Sequence, residues 1–397
     1  MKQKFELLAP AGSFPMLIEA VKQGADAVYF GLKEFSMRDN AKNFTIKDLE
    51  KINKICGKEV KKYLTMNVII YEEELKKVEK ILKKVKGKVD AIICWDFSVI
   101  NICKKLKIPF HISTQASISN SDAAKHYKKL GAERIVLARE LNIKQIKKIS
   151  KIIPIETFIH GAMCVAISGR CFMSQELYGR SANRGMCTQV CRREYNIKDE
   201  EGRELKLKRN TIMSAKDLCT LPFIEKLKSA GITSFKIEGR NRDARYVGTV
   251  VKIYRKALDN KLSTKEIKDS LEELKTVYNR EFSSGFYLGT PTSDDFANME
   301  HSAATTKKEF IGIVNHYYPK VGVGTIQLQS GKIKIGDELA IIGNTTGLEN
   351  IKVNSLEIKK KKVNNAKKGE EVGLKLPFVR KNDQVYLIKK NNSLSIN

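Results

Sequence analysis

Nowhere in the 397 residues is there a run of about 18 apolar side chains, the length a membrane-crossing helix needs. The leading Met1-Lys2-Gln3-Lys4 passes straight into a strand-like segment with no apolar stretch of secretory type, so a cytoplasmic protein with no membrane partner is expected. Cysteine is sparse: eight in a chain this long cannot make a disulfide scaffold, and in a reducing compartment clustered thiols are better used on a metal or cluster. The hydrolase patterns H-E-x-x-H and G-x-S-x-G are missing, as is the G-x4-G-K-S/T loop of nucleotide hydrolases. Acidic side chains are also in short supply. Lys+Arg number 73 against 45 Asp+Glu, a formal charge of +28 that opposes compaction and favours a polyanionic partner such as RNA. Lys-rich codon usage would produce part of the same excess.

What is present is ample material for a core, 42% hydrophobic residues arranged as short apolar runs that alternate with helical patterns. The runs read as strands are Glu6 to Ala9, Ala27 to Phe30, Leu64 to Ile70, Ala91 to Trp95, Phe110 to Ser113, Arg134 to Ala138, Glu156 to Ile159 and Ser234 to Ile237. Between them, Ser13, Pro15 and Gly24 punctuate one helix, and Leu75, Val78, Leu82 and Val85 line one face of another. Eight such alternations in about 260 residues predict an α/β fold, a (β/α)8 TIM-like barrel over residues 1–300, with a doubly wound sheet as the alternative. The strand ends favour the barrel. Asn67, Asp96, Gln115, Arg139, Glu140, His160, Glu238 and Arg240 sit at or just past them and would converge on one mouth.

The crossover after the seventh strand, residues 161–231, is far longer than a connecting loop and is read as an insertion, with a hairpin around Asp199-Glu200-Glu201-Gly202. After helical patterns at Tyr246 to Leu258 and Ile267 to Tyr278, alternation with turn signals predicts a separate small all-β barrel over residues 305–393.

The insertion carries Cys164, Cys171, Cys187 and Cys191 in the pattern C-x6-C-x15-C-x3-C. Four thiolates can hold a 4Fe-4S cluster or complete a structural zinc site, and only the last pair approaches a zinc knuckle. Uncoordinated thiols are the third reading. Cys56, Cys94 and Cys103 continue apolar rows and read as packing residues; Cys219 could replace a ligand. Arg170, Arg180, Arg184, Arg192 and Arg193 interleave with the four cysteines in a chain that otherwise prefers Lys, which fits bidentate binding of carboxylate or phosphate, or simple neutralisation of a thiolate centre. Arg38, after the second strand, is a further candidate anion ligand.

Together Glu6-Leu7-Leu8-Ala9-Pro10-Ala11-Gly12, Gly24-Ala25-Asp26-Ala27-Val28-Tyr29, Ser113-Thr114-Gln115, the cysteine segment and Lys236-Ile237-Glu238-Gly239-Arg240 resemble the collagenase-like peptidase family U32 over essentially the whole chain. Within the family the chain looks like the members that hydroxylate carbon 5 of the tRNA wobble uridine; others act on 23S rRNA or on quinones. The resemblance implies a 4Fe-4S cluster on the four cysteines, prephenate as oxygen donor in place of molecular oxygen, and the tRNA anticodon loop as partner, with a homologous partner subunit as an option. The C-terminal segment resembles the second domain of elongation factor Tu, whose turn reads here Gly336-Asp337-Glu338-Leu339.

On that reading His160, Glu238 and Asp96 handle protons at the mouth. Arg38, Asn67, Gln115, Arg139, Arg170, Arg180, Arg184 and Arg240 bind substrate. The competing readings are a protease using a Cys164 and His160 dyad, and a non-catalytic RNA-binding protein with structural zinc.

Overall fold

The computed structural model describes residues 5–38, 41–193, 195, 198–204, 213–297 and 302–391. The first half alternates strand and helix as the apolar periodicity requires. β1 (Glu6–Ala11) leads to α1 (Phe14–Lys22), β2 (Ala27–Gly31) to α2 (Leu49–Cys56), and β3 (Lys61–Met66) to α3 (Leu75–Val85). β4 (Ala91–Cys94) is followed by α4 (Phe97–Leu106), β5 (Phe110–Ile112) by α5 (Ser121–Lys129), β6 (Arg134–Val136) by α6 (Ile143–Ile149), and then β7 (Ile155–Gly161). Within the long insertion lie α7 (Met173–Tyr178), β8 (Asp217–Cys219) and α8 (Ile224–Lys228), and β9 (Ser234–Ile237) follows it. α9 (Ala244–Asp259), α10 (Thr264–Lys275) and the short β10 (Phe282–Ser283) complete this half.

Strands β1 to β7 pair in sequence order and in parallel; β9 then pairs in parallel with both β7 and β1, closing an eight-stranded barrel. β8 is a ninth piece, antiparallel to the end of β7 through His160↔Cys219 and Gly161↔Leu218, and it carries β10. The third strand departs from the expected Leu64 to Ile70. It begins at Lys61, whose partner is Ala27, and ends at Met66; the Asp90 carboxylate accepts from the Lys62 amide at 2.9 Å, so two lysines start a strand that an apolar-run reading passes over. The apolar Val68 to Ile70 lies in the loop beyond.

Alternation sorts the strand residues into two cores. Leu7, Val28, Phe30, Leu64, Ile92, Ile112, Ile135 and Phe235 face the helices, where α3 contributes Val78, Leu82 and Val85. The inward positions are different. Beside a small apolar group of Leu8, Ala27, Tyr29, Tyr63, Ala91 and Ile93 lies a charged network. Glu156, fully buried, accepts from Lys236 Nζ at 2.7 Å and from Arg134 at 3.3 Å; Arg134 also clasps Glu6, which takes the Tyr63 hydroxyl at 2.7 Å and the Ser234 hydroxyl at 2.8 Å. Burial and the nearby Arg134 pull the His111 imidazole down to about 3, so it is neutral there.

Of the hairpin expected in the insertion, Lys198 and Glu204 form one antiparallel bridge around a turn held by the Asp199 carboxylate; residues 205–212 lie outside the described residues. The C-terminal region is antiparallel, with β11 (Thr306–Tyr318), β12 (Val323–Leu328), β13 (Lys332–Lys334), β14 (Glu338–Gly343) and β15 (Gly347–Lys352). β16 (Leu356–Ile358), β17 (Lys361–Val363), β18 (Asn365–Lys367), β19 (Glu371–Lys375) and β20 (Gln384–Lys390) follow. Eight of these form one sheet in the order β15-β14-β20-β11-β12-β19-β16-β17, curled over a core of residues such as Val314, Ile326, Leu339, Val372 and Val385; β13 and β18 pair as a ribbon. Gly336-Asp337 is the turn before β14, its carboxylate accepting from the Lys334 amide at 2.8 Å. The sheet docks on α1 and α9: Lys22 reaches Glu349 at 3.1 Å, Lys308 reaches Asp243 at 2.6 Å, and Ala244 packs with Ala340 and Leu348. Among the described residues no helix is long and apolar enough to cross a membrane.

Removing one partner from a buried charge pair leaves the other uncompensated, typically at a cost of about 3–5 kcal/mol. Glu156→Gln should therefore lower the free energy of unfolding, from urea titration followed by near-ultraviolet circular dichroism, by an amount on that scale, seen as a lower urea midpoint. An unchanged midpoint would show that Lys236 and Arg134 are not held by this carboxylate.

Candidate active site

At the C-terminal ends of the barrel strands a pocket is lined by Tyr29, Arg38, Asn67, Gln115, Arg139, Phe158, Lys236, Glu238 and Arg240, with Cys164, Ser168 and Gly169 of the insertion above. Its centre is Glu238, 9% exposed. Arg38 Nε donates to one carboxylate oxygen at 3.2 Å, and Arg139 lies 3.5 Å from the other. Burial opposes ionisation of Glu238, but Arg38, Arg139, Arg240 and Lys236 more than offset it and hold the carboxyl below the usual range. Lys236 also packs over the rings of Tyr29 and Phe158, and Arg139 stacks on Phe158 at 3.9 Å. One carboxylate thus answers several cations, and the pocket keeps a surplus of positive charge suited to an anion.

The loop carrying Arg38 is placed by its neighbours. Arg240 donates to Ser36 Oγ at 2.8 Å, to Thr65 Oγ1 at 2.5 Å and to the Met37 carbonyl. The Asn67 side chain accepts from the Met37 amide at 3.1 Å, and Arg38 itself takes φ 80°, a left-handed conformation that is costly for a non-glycine residue. From above, Gly185 (φ 93°) lies so close that a Cβ there would meet the Ser36 carbonyl oxygen at 2.6 Å. Glycine is what lets the insertion sit down on this loop. Arg240 and Asn67 therefore position the Arg38 loop. Gln115 is tied to Ser113 and Asn67 directly under Gly169.

Cys164, Cys171, Cys187 and Cys191 line a second, adjoining cavity whose walls also include Met163, Val165, Ile167 and Arg192. The two cavities share Met37, Arg38, Cys164 and Gly169. Burial, and then the other three thiols, raise the Cys191 thiol, with Arg192 opposing. Among the described residues no three His, Cys, Asp or Glu side chains are grouped as a metal site. The four thiols nevertheless line one cavity, and the chemistry of that donor set suits a thiolate-ligated centre, a 4Fe-4S cluster or a zinc ion alike. Arg192, 5% exposed, holds this floor by donating to the carbonyls of Met163 and Ala215.

Other expected site residues lie elsewhere. Asp96 caps α4, accepting from the Ser98 amide and hydroxyl at 2.9 and 2.6 Å and from the Ile70 amide at 3.1 Å; the helix start uses the acceptor capacity that proton transfer was expected to use. His160 is 2% exposed beneath the mouth, its Nδ1 3.3 Å from the Tyr254 hydroxyl and its ring against Tyr246 and Phe282. Burial pulls it down to about 3, leaving a neutral packing residue. Arg184 is a clamp: it grips Glu74 through both carboxylate oxygens and the Ile69 carbonyl, fastening the insertion to the loop after β3. Arg170 faces the Gln115 carbonyl and the Trp95 ring at the rim, and Arg180 is exposed. Cys56, Cys94, Cys103 and Cys219 are buried; Cys219 lies 3.6 Å from the Tyr254 hydroxyl, away from the four-thiol cavity, and burial pushes its thiol up to about 11. Lys236, Tyr29 and Phe158 escaped the sequence reading. Their signal was the period of two, since Lys236 on β9 precedes Glu238, the residue just past the strand's end, by two and faces the same way.

A closed β/α barrel with a cation-rich pocket at the C-terminal ends of its strands, beside a four-thiol cavity, is the architecture of a barrel enzyme with its site at that face. The model for peptidase family U32 matches residues 12–296, and the chain belongs to that family. It is 44% identical over 404 residues to an uncharacterised protease of Methanocaldococcus jannaschii, covering 97% of this chain and 98% of that one. It is 38% identical over 408 residues to a collagenase of Porphyromonas gingivalis, with the same coverage. It is likewise 38% identical over 356 residues to tRNA hydroxylation protein P1 of Bacillus subtilis, covering 86% of this chain and 84% of that protein. Relatives named for proteolysis and for tRNA hydroxylation thus stand at similar distances, and the choice falls to the site.

Glu238 has a lowered carboxyl, so its ionisation stabilises the fold above the ordinary carboxylate range, and this contribution is lost as pH falls through its depressed value. Glu238→Gln should melt below the wild-type protein at pH 7, and the two melting temperatures should converge on acidification below about pH 4. A difference that persists at low pH would mean the carboxylate charge is not what Arg38 and Arg139 answer.

Proposed function

We propose that the protein hydroxylates carbon 5 of the wobble uridine in tRNA, with prephenate as the oxygen donor and a 4Fe-4S cluster held by Cys164, Cys171, Cys187 and Cys191. The observation that carries this reading is the shared wall between the two cavities: a cation-rich pocket and the four-thiol cavity are both lined by Arg38 and Cys164. When bound, the cluster would supply redox or Lewis-acid chemistry next to that pocket. The chain's own residues do the rest. Arg38 and Arg139 offer guanidinium edges to the carboxylates of a dicarboxylic acid, and Lys236 adds to the field. Glu238, kept ionised and aimed into the mouth, can accept a proton from the base. Phe158 and Tyr29 give the pocket apolar walls against which a ring can lie.

RNA as the larger substrate agrees with the net charge of +28 and with the relative named for tRNA hydroxylation. An anticodon base is unpaired already, so bringing it to a barrel mouth needs little unstacking. The protease reading lacks its dyad: Cys164 is exposed in the insertion, while His160 is buried against Tyr254.

Protein purified without oxygen should carry about four iron and four acid-labile sulfide per chain, and Cys187→Ala should lose them. tRNA from cells lacking the gene should lose 5-hydroxyuridine by mass spectrometry, and the Cys187→Ala allele should fail to restore it. A single tightly held zinc, or undiminished 5-hydroxyuridine, would overturn the proposal.

A further inference from the structure

The rim of the mouth carries an unusual amount of bare apolar surface. Of thirteen large hydrophobic side chains left exposed among the described residues, seven lie on the insertion or on the loops after β3 and β4. Phe172, immediately before α7, is 72% exposed, and Phe97, the first residue of α4, is 56% exposed. Isolated surface apolar residues are ordinary, but a group around a site marks a binding surface. Neither phenylalanine serves the packing of its own helix: α4 buries Val99, Ile100 and Cys103.

Arginines are set among these rings. Arg170, two residues before Phe172 in the chain, lies 5.9 Å from the ring of Trp95, itself two residues before Phe97, so the insertion and the start of α4 meet at this arginine. Arg193 lies 5.0 Å from the ring of Tyr178, which is 47% exposed, and donates to its hydroxyl. Arg170, Arg180 and Arg193 have no carboxylate partner within salt-bridge distance among the described residues, and Glu176 is the one acid on α7. Flat π-faces interleaved with unneutralised guanidinium groups favour a polyanion that also presents flat rings, which is the chemistry of single-stranded nucleic acid. A protein partner would gain from the apolar area but not from the surplus charge.

Resting on the RNA reading above, we infer that Phe97, Phe172 and Tyr178, with Arg170 and Arg193, form a stacking platform for unpaired bases flanking the nucleotide that enters the mouth. The platform explains why the insertion, while fastened by Arg184, leaves its aromatic side chains bare. It also selects for loops over duplex, because paired bases offer no free faces.

The test is binding of a short RNA hairpin with a seven-nucleotide loop, compared with a blunt duplex of the same stem, by the anaerobically purified full chain. Wild type should bind the hairpin more tightly than the duplex. The double variant Phe97→Ala/Phe172→Ala should lose at least about tenfold for the hairpin with duplex binding unchanged. Phe97→Leu/Phe172→Leu, which keeps apolar area and removes the π-faces, should lose nearly as much; retention by the leucine variant would overturn stacking. Tyr178→Ala, remote from the cysteine ligands in sequence, repeats the test should Phe172 variants lose iron. Hairpin preference in wild type with equal binding by all variants sinks the platform and leaves the RNA reading standing. Wild type that binds neither RNA sinks both. A wild-type dimer that becomes monomeric in the alanine variant, with RNA binding unaltered, would instead make this surface an interface between copies and overturn the inference.

Discussion

Glu238 sits almost out of water among Arg38, Arg139, Lys236 and Arg240, and much of the mouth is arranged around the mismatch between one negative charge and several positive ones. In a poorly polarisable interior like charges repel strongly, so each cation must be given its own acceptors. Lys236 finds Glu156 below it, Arg240 finds Ser36, Thr65 and the Met37 carbonyl, and Arg139 finds the Ala162 carbonyl at 2.6 Å. Those acceptors belong to different strands and loops. Meeting the demands of the cations therefore ties the loop after β2, the ends of β3, β6, β7 and β9 and the start of the insertion into one rigid rim, and what positive charge remains is available to a ligand.

The polar network in the barrel interior extends this arrangement downward. An eight-stranded barrel can fill its centre with branched aliphatic layers. Here Glu6, Arg134, Glu156, Lys236 and the neutral His111 take inward positions; the Tyr63 and Ser234 hydroxyls donate to Glu6, and the Tyr63 ring packs edge-on against His111. Lys236 is shared between this network and the mouth, so the electrostatics of the site are anchored in the core and not only in loops. The insertion is held from the other side, by Arg184 on Glu74 and by the approach of Gly185 to the Arg38 loop. That approach brings the four-thiol cavity and the cation-lined pocket to a common wall.

Particular residues show how much of this could be read in advance. The alternation of short apolar runs with amphipathic helices implied the barrel and its mouth, and the cysteine spacing picked out four thiols that do line one cavity. Strand-end position correctly placed Asn67, Gln115, Arg139, Glu238 and Arg240 at the pocket. It misplaced Asp96 and His160, because a residue past a strand can equally well cap the next helix or turn under the rim, and local sequence does not distinguish these. Arg184 looked like an anion ligand because its partner Glu74 is 110 residues away.

The sequence by itself determined the order of elements, the positive charge and the presence of four clustered thiols, since periodicity, composition and spacing are properties of the chain alone. Only the tertiary structure decided which cations face Glu238, that Lys236 joins the mouth to the core, and that the thiol cavity and the cation-lined pocket share a wall at Arg38 and Cys164. Those relations depend on closing the barrel, when β9 meets β1 and β7 and side chains two hundred residues apart come within hydrogen-bonding distance.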